Sequence, residues 1–292
     1  MSGNLGTLTP HGKAVLVTGA SSGLGRVCAL ELERSGFRVF AGVRDEADGE
    51  TLAHEASYGR LTPVRIDVTE EKTIAAAAEQ VTRAVAEGGL WGLVNNAGIC
   101  VSAPLECVAP EQLRRQLDIN VVGQLAVTQA FLPQLRRARG RVVNVTSGLG
   151  SVAIPYLGAY ASAQFAKEAL TDVLRRELRP HGVDVSVVQP GAIMTPIWGK
   201  VTETARAAMD GVPETVADLY RVPFHRFLHA NERQARDSRT RPEDFARTVG
   251  QALTARRPRS RYRVGRDART VSVLARALPD AALDRYLSPI TR

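Results

Sequence analysis

The chain predicts an α/β protein built on a parallel, doubly wound sheet within one domain. Three observations carry this. Short apolar runs alternate with helix-periodic segments between residues 14 and 189. A glycine-rich turn follows the first of those runs and opens a helix. No repeat or linker interrupts the rhythm before about residue 195. Parallel neighbours need crossover helices, so this alternation implies strands side by side with helices on both faces.

Taken in order, residues 14–17 (Ala-Val-Leu-Val) are apolar without alternation, as in a strand covered on both faces. A helix runs to about Ser35, and strands follow at 38–43 and 61–67. An Ala-rich helix covers 70–87, and the fourth strand ends with 92–95. Pro110 opens a long helix over 110–135, at a position whose amide has no helical partner to lose. A strand at 141–146, a helix over 159–179 and a strand at 183–189 continue the pattern. Beyond it come a long helical stretch to about 233, a further helix, a short strand at 262–264 and amphipathic helices with Leu274, Leu278, Leu283 and Leu287 on one face. Residues 1–11, small and polar, read as a disordered tail ahead of one domain over 12–292.

Composition narrows the function. Hydrophobic content of 44% and charged content of 23% are ordinary for a soluble globular chain. The net charge of +8 is carried mostly by arginine, since Lys13, Lys72, Lys167 and Lys200 are the only lysines. The Arg-rich stretches 226–241 and 256–266 are broken by acids and apolar residues, so they read as solvated faces rather than a nucleic-acid surface. Cys28, Cys100 and Cys107 lack metal spacing, which points to reduced thiols and a cytoplasmic protein. No apolar run approaches the roughly 20 residues of a membrane span, so no integral membrane association is expected.

The turn reads Thr18-Gly19-Ala20-Ser21-Ser22-Gly23-Leu24-Gly25. Gly19 and Gly23 suit a tight turn against a pyrophosphate, Gly25 suits close packing of helix on sheet, and the helix amides face the phosphates. Asn95-Asn96-Ala97-Gly98 closes the fourth strand, Ser147 and Tyr160 stand thirteen residues apart, and Pro190-Gly191-Ala192-Ile193-Met194-Thr195 follows the sixth strand. In this order, over about 12–200, these motifs resemble the short-chain dehydrogenase/reductase family. The stretches 89–98, 117–123 and 261–268 look most like its branch of retinol, 17β-hydroxysteroid and 3-hydroxybutyrate dehydrogenases.

The resemblance implies a Rossmann-like sheet of about seven strands and a homodimer or homotetramer. Asp67 and the Val68 backbone would meet the adenine. Asn95, Ala97 and Gly98 would shape the floor under its ribose, with Ser21, Ser22 and Leu24 in the phosphate turn. Pro190, Gly191 and Thr195 would hold the nicotinamide. The residue ending the second strand selects the cofactor. Val43 stands at the usual acidic place and Arg44 follows it, so NADP(H) is favoured over NAD(H); Asp45 is the alternative partner for Arg44. Tyr160 would exchange the proton with the substrate oxygen, Ser147 would hold that oxygen, and Asn120 would position a water through its backbone.

One residue departs from the pattern. The family's Lys, four residues after the Tyr, lowers the Tyr pKa and bonds the nicotinamide ribose; Gln164 stands there. A Gln keeps donors and an acceptor for ribose hydroxyls but carries no charge. A Tyr near pKa 10 is ionised only about one part in a thousand at pH 7. The expectation is therefore a weakened oxidoreductase acting on a hydrophobic secondary alcohol or ketone. Two alternatives stay open: a non-redox dehydration, isomerisation or cyclisation site, and an NADP-binding sensor. Lys167, seven residues after Tyr160 on nearly the same helix face, reads as an exposed residue rather than a replacement. In relatives a lid lies after Thr195, here 195–235, with 258–292 as a C-terminal extension. Trp198, Met209, Leu219, Tyr220, Phe224 and Phe227 could roof the pocket against a wall at 149–156, with His225 a surface residue. The extension is expected to pack in a homo-oligomer.

Overall fold

The computed structural model describes residues 7–290. The elements of the nucleotide-binding half are β1 (Ala14–Thr18), α1 (Gly23–Arg34), β2 (Arg38–Val43), α2 (Glu46–Glu55), β3 (Leu61–Arg65), α3 (Glu71–Val85) and β4 (Gly92–Asn95). Then come α4 (Pro110–Leu117), α5 (Gly123–Ala138), β5 (Arg141–Val145), α6 (Gly158–Leu178) and β6 (Asp184–Pro190). The remainder is helical except for one strand: α7 (Ile197–Asp210), α8 (Glu214–Asp237), α9 (Pro242–Thr254), β7 (Arg261–Val264), α10 (Arg266–Ala277) and α11 (Asp280–Leu287).

The seven strands lie in the order β3-β2-β1-β4-β5-β6-β7, all parallel. The chain reverses its direction of growth between β1 and β4, and a crevice opens at the carboxyl ends of those strands. On one face Leu32 and Phe37 meet Phe245, Val249 and Leu253 of α9. On the other, Ile74 and Val81 of α3 pack with Phe131 and Leu135 of α5. Both faces are covered, which is why the central strands carry unbroken apolar runs.

Three details depart from the sequence expectations. The long helix over 110–135 is two helices joined by a π-helical turn at Asp118–Val122. Such a turn fits one extra residue into a helix, and here it seats Asn120 against the strand-end loop. Helix α2 was not foreseen; Asp45 caps it by accepting from the Ala47 amide at 3.0 Å. Of the expected disordered tail, residues 1–6 lie outside the described residues. The rest is fastened, because Thr7 bridges Ala255 and the Leu8 amide donates to Thr254 O at 2.7 Å. No helix among the described residues is long and apolar enough to cross a membrane.

Candidate active site

The glycine-rich turn is built for close approach. Gly19 has φ of +65°, and a Cβ there would stand 2.9 Å from Ala97 Cα. A Cβ on Gly25 would stand 2.1 Å from Gly19 O and 2.4 Å from Asn96 Nδ2. Thr18 ties the two strand ends together, its Oγ1 accepting from the amides of Asn96 at 3.0 Å and Ala97 at 3.1 Å. Ser22 caps α1 without a side-chain hydrogen bond and the first turn holds no acid, so the leading amides stay available to an anion.

This turn forms one end of a cleft of about 1870 Å³, several times the volume a drug-sized ligand needs. Gly19, Ser21, Ser22, Gly23, Leu24 and Gly25 line it, followed by Arg44, Asp67, Val68, Ala97 and Gly98. At the other end are Asn120, Ser147, Tyr160, Gln164, Pro190, Gly191 and Thr195. Asn95 does not line the cleft. It is 3% exposed, and its Nδ2 donates to Thr128 Oγ1 and Asn144 Oδ1, both at 2.9 Å. Strand alternation turns Asn95 into the core and presents Asn96 to the cleft, correcting the expected floor residue.

Arg44 is exposed at the end of β2, and Asp45 spends its carboxylate on the α2 cap rather than on Arg44. Burial pushes the Asp67 carboxyl up, but hydrogen bonds from Thr69 and the charges of Arg44 and Arg65 together hold it below the usual carboxylate range.

Ser147 and Tyr160 meet at the carboxyl edge of β5. Burial pushes the Tyr160 hydroxyl well up, the Cys100 thiol adds to that, and a hydrogen bond with Ser147 works against it. Tyr160 therefore stays protonated at neutral pH. Asn120 is 1% exposed; its Oδ1 accepts from the Ile99 amide at 2.9 Å and its Nδ2 donates to Ile99 O at 3.0 Å. Its side chain is thus committed to the loop after β4, leaving only its backbone for other contacts.

Gln164 is 2% exposed, lines the cleft, and its Oε1 has no hydrogen-bond partner. Lys167 is not the exposed residue expected. It is 2% exposed, lines the same cleft, and its Nζ donates to Val145 O at 2.5 Å. Helix α6 packs on the sheet so that Gln164 and Lys167 are buried while Tyr160, on the same face, is half-buried in the cleft wall.

The loop after β6 is held by a residue the sequence reading did not single out. The Ala192 amide donates to Asp267 Oδ2 at 2.6 Å, and Gly191 N donates to Val264 O at 2.9 Å. Trp198 Nε1 donates to Ile193 O at 3.0 Å. The expected roof is corrected as well. Phe224 and Phe227 do not line the cleft but pack with Tyr156 behind its wall, against Leu149, Ile154 and Tyr160, with ring centroids 5.3 and 5.2 Å from Tyr156, while Leu219 is 67% exposed. Trp198, Val201, Leu149 and Ile154 line the cleft instead, joined by Tyr286, Leu287 and Ile290 from the C-terminus. His225 is exposed, as expected.

Comparison with known proteins agrees with this geometry. The family model for short chain dehydrogenases matches residues 13–206. The chain belongs to the short-chain dehydrogenase family. It is 44% identical over 274 residues to the 3-amino-tetrahydro-pyrrolizinone reductase of Xenorhabdus hominickii, covering 94% of each chain. It is 36% identical over 282 residues to 17-beta-hydroxysteroid dehydrogenase type 6 of Rattus norvegicus, covering 95% of this chain and 88% of that one. Among solved structures, a short chain dehydrogenase from Burkholderia cenocepacia J2315 in complex with NADP superposes with a TM-score of 0.73 at 28% identity, covering 96% of this chain and 99% of that one. The protein is thus a short-chain dehydrogenase family oxidoreductase with retinol and 17β-hydroxysteroid dehydrogenases among its relatives. The cradle at Gly19 and Gly25, the uncapped start of α1 and the unpartnered Gln164 Oε1 fit the dinucleotide that this family uses.

Proposed function

We propose that this short-chain dehydrogenase is an NADP(H)-dependent oxidoreductase that interconverts a compact, largely apolar ketone and its secondary alcohol. The observation that carries the reading is the half-buried Ser147–Tyr160 pair, with Tyr160 held protonated in the lining of a dinucleotide-sized cleft. When bound, the nicotinamide supplies or takes up a hydride at the carbonyl carbon. Tyr160 gives its proton to the carbonyl oxygen during reduction, and Ser147 holds that oxygen by a hydrogen bond. A protonated Tyr suits reduction better than oxidation, which needs the phenolate.

Arg44 would grip the ribose 2′-phosphate, and the amides at the start of α1 the pyrophosphate. Gln164 Oε1 would accept from a nicotinamide-ribose hydroxyl, filling the bond it lacks. The absence of a charge at position 164 weakens oxidation more than reduction, since reduction starts from the neutral Tyr. The lining of Trp198, Val201, Leu149 and Ile154 supports an apolar substrate. So do relatives named for a pyrrolizinone, a 17-beta-hydroxysteroid and retinol. The reading includes a homo-oligomer, supported by the exposed Val122, Phe165 and Val173, and it is checked by light scattering.

The test is titration with NADPH and NADH by fluorescence, followed by NADPH-consumption assays on apolar ring ketones. NADPH binding at least tenfold tighter than NADH, with ketone-dependent oxidation, is expected. Substrate turnover without nicotinamide oxidation would show a non-redox enzyme.

A further inference from the structure

Lys167 is a buried ammonium that makes no ion pair among the described residues, which is a costly thing for a fold to keep. The nearest acid in sequence, Glu168, is engaged elsewhere. Its Oε1 accepts from Thr146 Oγ1 at 2.7 Å and Gln189 Nε2 at 2.9 Å, and its Oε2 meets Arg261 Nε at 2.9 Å. The Lys167 ammonium instead donates to Val145 O, two residues before Ser147. It sits one helical turn beyond Gln164, whose Oε1 is itself buried without a partner. The two side chains line the same cleft as Tyr160. With no carboxylate paired to it among the described residues, the buried ammonium keeps a charge that is felt across several ångströms.

We infer that Lys167 is an electrostatic positioning residue. Its ammonium supplies, from beneath the Val145–Ser147 segment, the positive charge that position 164 lacks. It favours the neutral reduced nicotinamide over the cationic oxidised one and supports the oxygen of Tyr160 as its proton leaves. This rests on the cofactor reading above. It extends that reading to the redox state of the cofactor: with Lys167 charged, the site binds the reduced nucleotide in preference to the oxidised one.

The bias is pH-dependent with a defined sign. Burial lowers the Lys167 pKa to about 8, with the Glu168 charge opposing. The charge is thus present below about pH 8 and fades above it. The charge that acts on it is that of Glu168 on α6, itself paired with Arg261 of β7; Tyr160, Cys100 after β4 and Asp267 on α10 are titratable groups that line the same cleft. Cys100 is pushed up by burial to about 12 and stays a neutral thiol through this window. β4 and β5 present Asn95, Asn144 and Ser147, which do not titrate there.

The experiment measures binding rather than turnover. Dissociation constants for NADPH and NADP+ are obtained by fluorescence and by competition between pH 6.5 and 9.5. The protein is compared with its Lys167→Met and Lys167→Arg variants, each checked for folding by circular dichroism. The NADP+/NADPH ratio of dissociation constants should fall about tenfold across pH 8 in the unaltered protein. It should be low and flat in Lys167→Met and high and flat in Lys167→Arg. A ratio independent of pH in the unaltered protein overturns the inference even if Lys167→Met does not fold, as does a fall that persists in either variant. Failure to bind either nucleotide overturns the cofactor reading and this inference with it.

Discussion

The Asp267 carboxylate accepts the Ala192 amide at 2.6 Å and leaves no room beside it: a Cβ on Gly191 would stand 2.1 Å from Asp267 Oδ1. A helix from the last fifth of the chain thereby fixes the loop expected to hold the nicotinamide. Asp267→Ala leaves the Ala192 amide without its charged acceptor, a loss of roughly 1–3 kcal/mol. Thermal melts should show that loss, and NADPH affinity should fall about tenfold as the loop slackens. Unchanged affinity would mean that the loop holds its shape without Asp267.

Gly25→Ala tests the phosphate turn. The new methyl would overlap Gly19 O, a backbone atom that cannot turn aside as a flexible side chain can. Helix α1 must then lift from the turn. Core overpacking of this kind costs about 1–3 kcal/mol. NADPH binding, followed by fluorescence, should weaken by at least an order of magnitude.

Arg44→Ala tests cofactor choice. With Asp45 committed to its cap, Arg44 is the cation at the end of β2. NADPH affinity should fall roughly tenfold or more, NADH affinity should hold, and raising the salt concentration should narrow the difference. Equal losses for both nucleotides would place Arg44 away from the 2′-phosphate.

The stability of the fold should also report Lys167. Its pKa is lowered to about 8 in the folded chain from 10.5. Between those values the unfolded state binds more protons, so the Lys167 contribution to stability rises with pH over that window. Below pH 8 the cost of the buried charge is fully present. Lys167→Met should therefore be most stabilised relative to the unaltered protein at pH 6–7, by a few kcal/mol at most, with the advantage shrinking toward pH 10. Denaturant melts at several pH values measure it, and a constant difference would show that Lys167 does not titrate in this range.

Most of the sheet was legible in the chain because strands buried on both faces leave unbroken apolar runs; β2 matches its expected bounds of 38–43, and β4 ends at Asn95 as expected. The glycine turn and the Ser147–Tyr160 spacing were legible because the tight turn and the meeting at a strand end demand those residue types. Three features were hidden for physical reasons. The π-turn at Asp118–Val122 keeps helical periodicity on both sides, so nothing in the pattern marks it. The role of Asp267 depends on β7 bringing a distant segment alongside Gly191, a contact with no local signature. Lys167 sits in an Arg-rich helix, and only the packing of α6 on the sheet shows that its face is interior. Asn95 was assigned to the cleft from its motif, whereas strand alternation gives that place to Asn96.

The account rests on Tyr160 as the proton donor of a nicotinamide-dependent reduction, and one measurement tests it most directly. NADPH consumption at pH 7 is followed on a panel of apolar ring ketones for the protein and its Tyr160→Phe variant, with NADPH binding measured alongside. The expected result is unchanged NADPH affinity and a rate at least about 10²-fold lower in Tyr160→Phe, the usual worth of a positioned acid. Equal rates in the two proteins, with NADPH bound equally well, would contradict it.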